Sequence, residues 1–208
     1  MTGPPSHERV NVRIAATADV DARAVIGAGS SIWHLAQVRE DAVLGHNCVV
    51  GRGAYIGSGV RLGDNCKVQN YALVYEPAVL EAGVFIGPAV VLTNDHYPRA
   101  VNTDGTVKSG HDWAPVGVTV REGASIGANS TCVAPVTIGR WALVAAGSVV
   151  VSDVPDYALV VGVPARRIRW VGRAGVPLIA AGEDLFRCPQ TGSEYRQIAE
   201  HELTEVVQ

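Results

Sequence analysis

Asp95 and His96, with Pro98 close behind, are the residues of this chain best suited by type to chemistry. An imidazole titrates near pH 6.5, give or take about a unit, so it can accept a proton at neutral pH; a positioned base of this kind contributes about 10²–10⁴ in rate. Asp95 or Asn94 could orient the ring or stabilise its cation. The surrounding stretch is dense in reactive side chains, with Asn94, Tyr97, Arg99, Asp104, Lys108, His111 and Asp112. A second group, Gln69, Asn70, Tyr71, Tyr75 and Glu76, places hydrogen-bonding side chains where small neutral residues would do. It predicts a polar pocket on one edge of whatever carries it.

What carries it is written in a six-residue beat. From Ile14 to Leu92 every sixth residue is aliphatic, through Val20, Ile26, Ile32, Val38, Leu44, Val50, Ile56, Leu62, Val68, Val74, Leu80 and Ile86. The beat resumes, out of step, at Val120, Ile126, Cys132, Ile138, Val144 and Val150. Two residues before each beat the side chain is small or slender (Ala36, Cys48, Ala54, Cys66, Ala72, Ala124), and residues two apart on a strand face the same side. Three residues after the beat stand Gly29, Asp41, Asn47, Gly53, Gly59, Asn65, Gly83, Gly123, Asn129, Gly147 and Asp153, types that tolerate positive φ at a corner. A short strand and a corner every six residues describe a triangular prism wound from one chain, with parallel strands stacked about 4.8 Å apart and six to seven turns in all, at about three hexads per turn. An antiparallel sandwich would instead show turns every 8–12 residues or so, with variable loops.

The rule fails in two places. The hexads beginning Ile32-Trp-His, Val68-Gln-Asn-Tyr and Val74-Tyr-Glu-Pro lose their Gly or Asn corner. Between Leu92 and Val120 the step is 28 residues where six would do. An insertion that long in a compact repeat is functional or disordered, and its side chains favour function.

Composition narrows the class. A chain of 208 residues makes one domain or one plus a small appendage, and a formal charge of −3 gives no field for nucleic acid or an anionic membrane. No apolar run reaches the length of about twenty that a membrane span requires, and Met1–Arg9 lacks an apolar signal core, so a cytoplasmic location is expected. Cys48, Cys66, Cys132 and Cys188 read as free thiols, without zinc-knuckle spacing. No metal is expected.

Repeats such as Ile56-Gly-Ser-Gly-Val-Arg and Leu62-Gly-Asp-Asn-Cys-Lys resemble those of the hexapeptide-repeat acyltransferases, over residues 12 to about 170. The resemblance implies a left-handed parallel β-helix assembled as a homotrimer. The stretch Val144-Ala-Ala-Gly-Ser-Val-Val followed by Val161-Gly-Val-Pro-Ala-Arg resembles the acetyl-coenzyme A end of family acetyltransferases. Within the family, Ile32-Trp-His, Lys67-Val-Gln-Asn, Val74-Tyr-Glu, Gly83-Val-Phe-Ile-Gly-Pro, Thr93-Asn-Asp with Tyr97-Pro-Arg, and Cys188-Pro-Gln-Thr-Gly-Ser-Glu-Tyr are most similar to nucleotide-sugar 3-N-acetyltransferases. These act on UDP- or dTDP-linked amino sugars in surface polysaccharide or glycoside sugar biosynthesis.

The resemblance implies that Asn70 meets the sugar's amino group, that His96 with Asp95 is a base, and that Gln69, Tyr75, Glu76, Asn94, Tyr97 and Arg99 contact the acceptor. It implies acetyl-coenzyme A along the later coils between subunits, with Val133, Gly139, Ala145, Ala146 and Pro164 near its pantetheine arm and Arg166 and Arg167 near its phosphates. The alternative is a sugar O-acetyltransferase in which His96 is indispensable. The expected organisation is all-β: a β-helix over residues 1–165 with an inserted loop at 93–119, then a cap of short helix and hairpin over 166–208. A gamma-type carbonic anhydrase would need paired histidines five apart, which His34, His46, His96 and His111 do not supply. A purely structural solenoid would need neither the polar breach nor the loop.

Overall fold

The computed structural model describes residues 11–206; the N-terminal stretch Met1–Arg9 discussed above lies outside the described residues. Strands of two or three residues recur from Arg13–Ile14 to Val149–Val150, and each beat residue fills the second half of its strand. They stack into three parallel sheets. Face A holds Ile14, Ile32, Val50, Val68, Ile86, Ile126, Val144 and Val160; face B holds Val20, Val38, Ile56, Val74, Leu92, Cys132 and Val150; face C holds Ile26, Leu44, Leu62, Leu80, Val120 and Ile138. Pairing joins residues 18 apart, as in Ile14 with Ile32 and Val50 with Val68. This is a parallel β-helix, consistent with the left-handed coil expected.

The core is one column. Ile32, Val50, Val68, Ile86, Ile126 and Val144 point inward with the small residues two places earlier, and all are buried. One large and one small inward group per hexad suit a narrow, close-packed triangle. At the corners, ten of the eleven expected Gly, Asn and Asp positions adopt positive φ, from Gly29 to Gly147. Asp153 does not; its carboxylate accepts the Thr137 N–H at 2.7 Å instead. Leu35, Tyr71, Ala89 and Trp141 take the same left-handed corner without being Gly or Asn.

The insertion leaves the coil's register untouched. Leu80 pairs with Val120, Ile86 with Ile126 and Leu92 with Cys132, each 40 residues on instead of 18. The strand Val118–Val120 belongs to face C, so the loop proper is 93–117, two residues shorter than expected. Its neck is closed by the Val116 N–H donating to the Asn94 carbonyl at 2.9 Å.

The expected C-terminal helix is absent. Among the described residues there is no helix at all. Arg166–Trp170 is a strand running antiparallel to Ala158–Val161, after a reversal at Gly162 with φ of 100°. The last coil exposes a row of backbone donors and acceptors, which an extended segment can satisfy and a helix cannot. The expected hairpin is present: Leu185–Arg187 pairs with Glu194–Ala199, closed by the Cys188 N–H to the Ser193 carbonyl at 2.8 Å. Ile179–Gly182 and Glu202–Glu205 extend it to four antiparallel strands.

Candidate active site

The prism has three edges: the first joins face A to face B, the second B to C, the third C to A. Because consecutive hexads turn onto consecutive faces, neighbours in sequence lie on different edges. Gln69, Asn70 and Tyr71 follow Val68 and sit on the first edge. Tyr75 and Glu76 follow Val74 and sit on the second. The single polar pocket expected from these five residues is therefore two separate sites, with the face carrying Leu73 and Val74 between them.

On the first edge, residues 18 apart stack. Asn70 lies over Arg52, and Arg52 over His34. These three, with Trp33, Val49, Gly51 and Gln69, line a cleft of about 290 Å³, near the low end of small-molecule sites. Asn70 Oδ1 accepts the Arg52 backbone N–H at 2.9 Å, which fixes the amide's orientation and leaves its NH₂ group and one oxygen lone pair available. The Arg52 Nε–H donates to Tyr71 Oη at 3.0 Å. His34 Nδ1 is hydrogen-bonded to Thr17 Oγ1 at 2.9 Å. The Arg13 guanidinium stacks over Trp33 at 4.5 Å. Above Asn70 the same edge turns small: Gly87, Pro88, Ala89, Gly127, Ala128, Ala145, Ala146 and Gly147. Every corner residue of this edge from Ala15 to Gly147 is something other than Asp or Glu, in a protein with 20 such residues.

The second edge is different in charge. Arg39 is held by Glu40 at 2.8 Å, and the Tyr55 and Tyr75 rings approach at 5.2 Å. Burial, reinforced by the Glu76 carboxylate, raises the Tyr55 hydroxyl above its ordinary value. Glu76 keeps one carboxylate oxygen buried without a partner among the described residues, in the space left by the missing side chain of Gly57. The loop leaves this edge one coil above. Asp95 Oδ1 accepts the Tyr97 N–H at 2.9 Å, closing a tight turn. The His96 ring stacks on Tyr97 at 4.1 Å, and both are exposed. Among the described residues neither Asp95 nor Asn94 bonds the His96 ring, so the expected Asp–His pairing is not formed. Arg99 donates to the adjacent Pro98 carbonyl.

The residues expected around the coenzyme are dispersed. Ala145 and Ala146 lie on the first edge, above Asn70. Val133 is on the second, beside Thr93, whose hydroxyl accepts the Ala134 N–H at 2.9 Å. Gly139 is on the third and buried. Pro164 and Arg166 follow the last coil. Arg167 stacks over Trp170 at 4.2 Å and donates to the Glu200 carbonyl at 2.8 Å. Trp33, His34, Arg52, Gly87 and Ala128 were not singled out as site residues from sequence. A spacing of 18 counted back from Asn70 would have found Arg52 and His34.

Two family models match the coil. One for bacterial transferase hexapeptide repeats (six repeats) covers residues 23–58, and one for the hexapeptide repeat of succinyl-transferase covers residues 117–152. The chain belongs to the hexapeptide-repeat family. Among its hexapeptide-repeat relatives is the bifunctional protein GlmU of Brevibacillus brevis, 34% identical over 163 residues, or 76% of this chain and 31% of that one. The chain thus spans about a third of the length of such relatives. The dTDP-3-amino-3,6-dideoxy-alpha-D-galactopyranose 3-N-acetyltransferase of Aneurinibacillus thermoaerophilus is 64% identical over 47 residues, covering 23% of this chain and 24% of that enzyme. A hexapeptide-repeat acetyltransferase of Vibrio cholerae O1 biovar eltor, solved with acetyl coenzyme A, superposes with a TM-score of 0.50 at 25% identity, over 64% of this chain and 72% of that one.

Proposed function

We propose that this protein transfers an acetyl group from acetyl-coenzyme A to the 3-amino group of a nucleotide-linked amino sugar, in the synthesis of a surface polysaccharide or glycoside sugar. The observation that carries the reading is the first edge: a polar cleft at Asn70, continued by an acid-free track of glycine and alanine. Small corners let the pantetheine arm lie close to the backbone, and the track ends at the arginine-bearing cap. The short, strong identity to a 3-N-acetyltransferase and the coenzyme-bound relative point the same way.

In this reading the amine attacks the thioester carbonyl carbon as the C–S bond breaks. The second lone pair of Asn70 Oδ1 accepts one amine N–H and aims the nitrogen lone pair. The departing coenzyme thiolate takes the proton that the amine sheds. His96 and Glu76 stand on the second edge, so they reach an Asn70 cleft only across a seam between copies. A homotrimer with its sites at the seams, working in the cytoplasm, satisfies this. The coil, residues 1–165, forms the catalytic body and residues 166–208 its cap.

The test is thiol release against a panel of nucleotide-linked amino sugars, with free sugars and hydroxyl acceptors beside them. Release only with hydroxyl acceptors, together with a loss above about 10³-fold in His96→Ala, would replace the amine reading with O-acetylation. Acetylation of none of the nucleotide sugars would discard both.

A further inference from the structure

Arg52 has no role in the reaction just described, yet it is the one acid- or base-bearing corner residue between His34 and Asn70 on the first edge. Its backbone N–H staples Asn70, but its side chain does something else. The guanidinium is tethered through Nε to Tyr71 Oη, and among the described residues neither terminal NH₂ group of this cleft-lining side chain has a partner. Among the described residues no carboxylate lies within ion-pair distance of it, nor of several other arginines such as Arg13 and Arg61, but Arg52 alone of these lines the Asn70 cleft. The tether sits on one of the coil's tight corners, of the kind Trp141 also makes over Gly123. Tyr71 adopts φ of 60°, a conformation costing a non-glycine residue about 1–3 kcal/mol, and its ring lies over Gly53, where an added Cβ would clash at 2.6 Å. A strained tyrosine, a glycine cleared beneath it and an edge without acids together hold a positive fork open beside Asn70.

We propose that Arg52 binds an anionic group of the acceptor, making it a specificity-determining residue of the site. The proposal rests on the acceptor-binding reading of the Asn70 cleft. Two oxyanions on a nucleotide sugar match the fork: a carboxylate on the hexose itself, or the diphosphate linking it to the nucleoside.

The experiment pairs two nucleotide-linked 3-amino sugars that differ only in a carboxylate or a hydroxymethyl group at C6. Turnover and calorimetric binding are measured for the wild type, Arg52→Gln and Arg52→Lys. Loss of one charge-assisted fork predicts a rise in KM and Kd of about 10- to 100-fold in Arg52→Gln, with kcat little changed and Arg52→Lys intermediate. A rise confined to the carboxylate acceptor assigns the fork to the sugar. An equal rise for both, with unchanged melting temperature, assigns it to the diphosphate. Wild-type affinities retained in Arg52→Gln for both acceptors overturn the proposal. Wild-type binding without turnover would instead discard the transferase reading, and the Arg52 variants would still be judged by Kd.

Discussion

The structural staple made by Asn70 and the catalytic role proposed for it can be separated by one pair of variants. Asn70 Oδ1 staples the coil below through the Arg52 N–H at 2.9 Å, and its remaining valences face the cleft. Asp64 makes the same staple one hexad earlier, to the His46 N–H at 2.7 Å, but on the third edge, away from the cleft. Both side chains cap an exposed corner where water can replace the bond, so removing the neutral Asn70 acceptor costs about 0.5–1.5 kcal/mol and removing the charged Asp64 acceptor about 1.5 kcal/mol, the low end for bonds to charged groups. For a chain of this size that lowers Tm by about 1–6 °C. Asn70→Ala and Asp64→Ala should therefore melt within a few degrees of each other. They should not react alike. Removing a polar group that acts on the reacting centre costs about 10²–10³ in kcat, so Asn70→Ala should fall by that factor while Asp64→Ala stays within about twofold. Thiol-release kinetics and circular-dichroism melts on both variants provide the comparison. Equal kcat for the two variants, at similar Tm, would mean that Asn70 is a staple and nothing more.

Further outcomes follow from the same geometry. Ala146→Trp fills the small-residue track at an exposed corner and should raise KM for acetyl-coenzyme A at least about tenfold while leaving acceptor binding and Tm unchanged; an unchanged KM would move the coenzyme to another edge. Burial pushes the Cys132 thiol up to about 12, so it should resist iodoacetamide at pH 8 in the native protein and react once denatured, as mass spectrometry would show. In the loop, Asp104 is held below its ordinary 3.8 first by the Thr106 hydroxyl, and Asp112 by the Ser109 N–H. Carboxylates depressed in the folded state stabilise it above their unfolded value and lose that contribution as pH falls through the folded one. Their carboxyl NMR titrations should have midpoints below 3.8, with loop protection fading on further acidification; midpoints at or above it would refute those bonds.

The coil was legible because each hexad repeats the same inward pair, so Ile32 with Ser30 and Val50 with Cys48 announce their burial by spacing alone. The corner residues Leu35, Tyr71, Ala89 and Trp141 were not, because stacking on the coils above and below holds them at positive φ against their own preference. The inserted loop was visible as a broken stride, though its last two residues are strand. The arginine-rich segment after Pro164 was misread as a helix because its partner, the open edge of Ala158–Val161, exists only once the solenoid ends. The candidate site was half legible. Asn70 and the Ala145–Ala146 pair stood out, but sorting residues onto edges needs the 18-residue turn, and six-residue reading merged Asn70 with Glu76. Arg52 was hidden for the same reason, and the break at Ile32-Trp-His was visible without being joined to Asn70.

The unbroken pairing of Leu80 with Val120 has a consequence beyond this one site. Since the coil closes across 22 extra residues as if they were absent, a corner works as a graft point: whatever is spliced there alters chemistry at the rim without disturbing the stack. Length, sequence and even the presence of the loop are free variables, whereas moving any inward residue by one position would turn the core inside out. Such a chain can exchange its reactive appendage as a unit, and a transplanted loop from another coil protein should be accepted here at the cost of specificity rather than of folding.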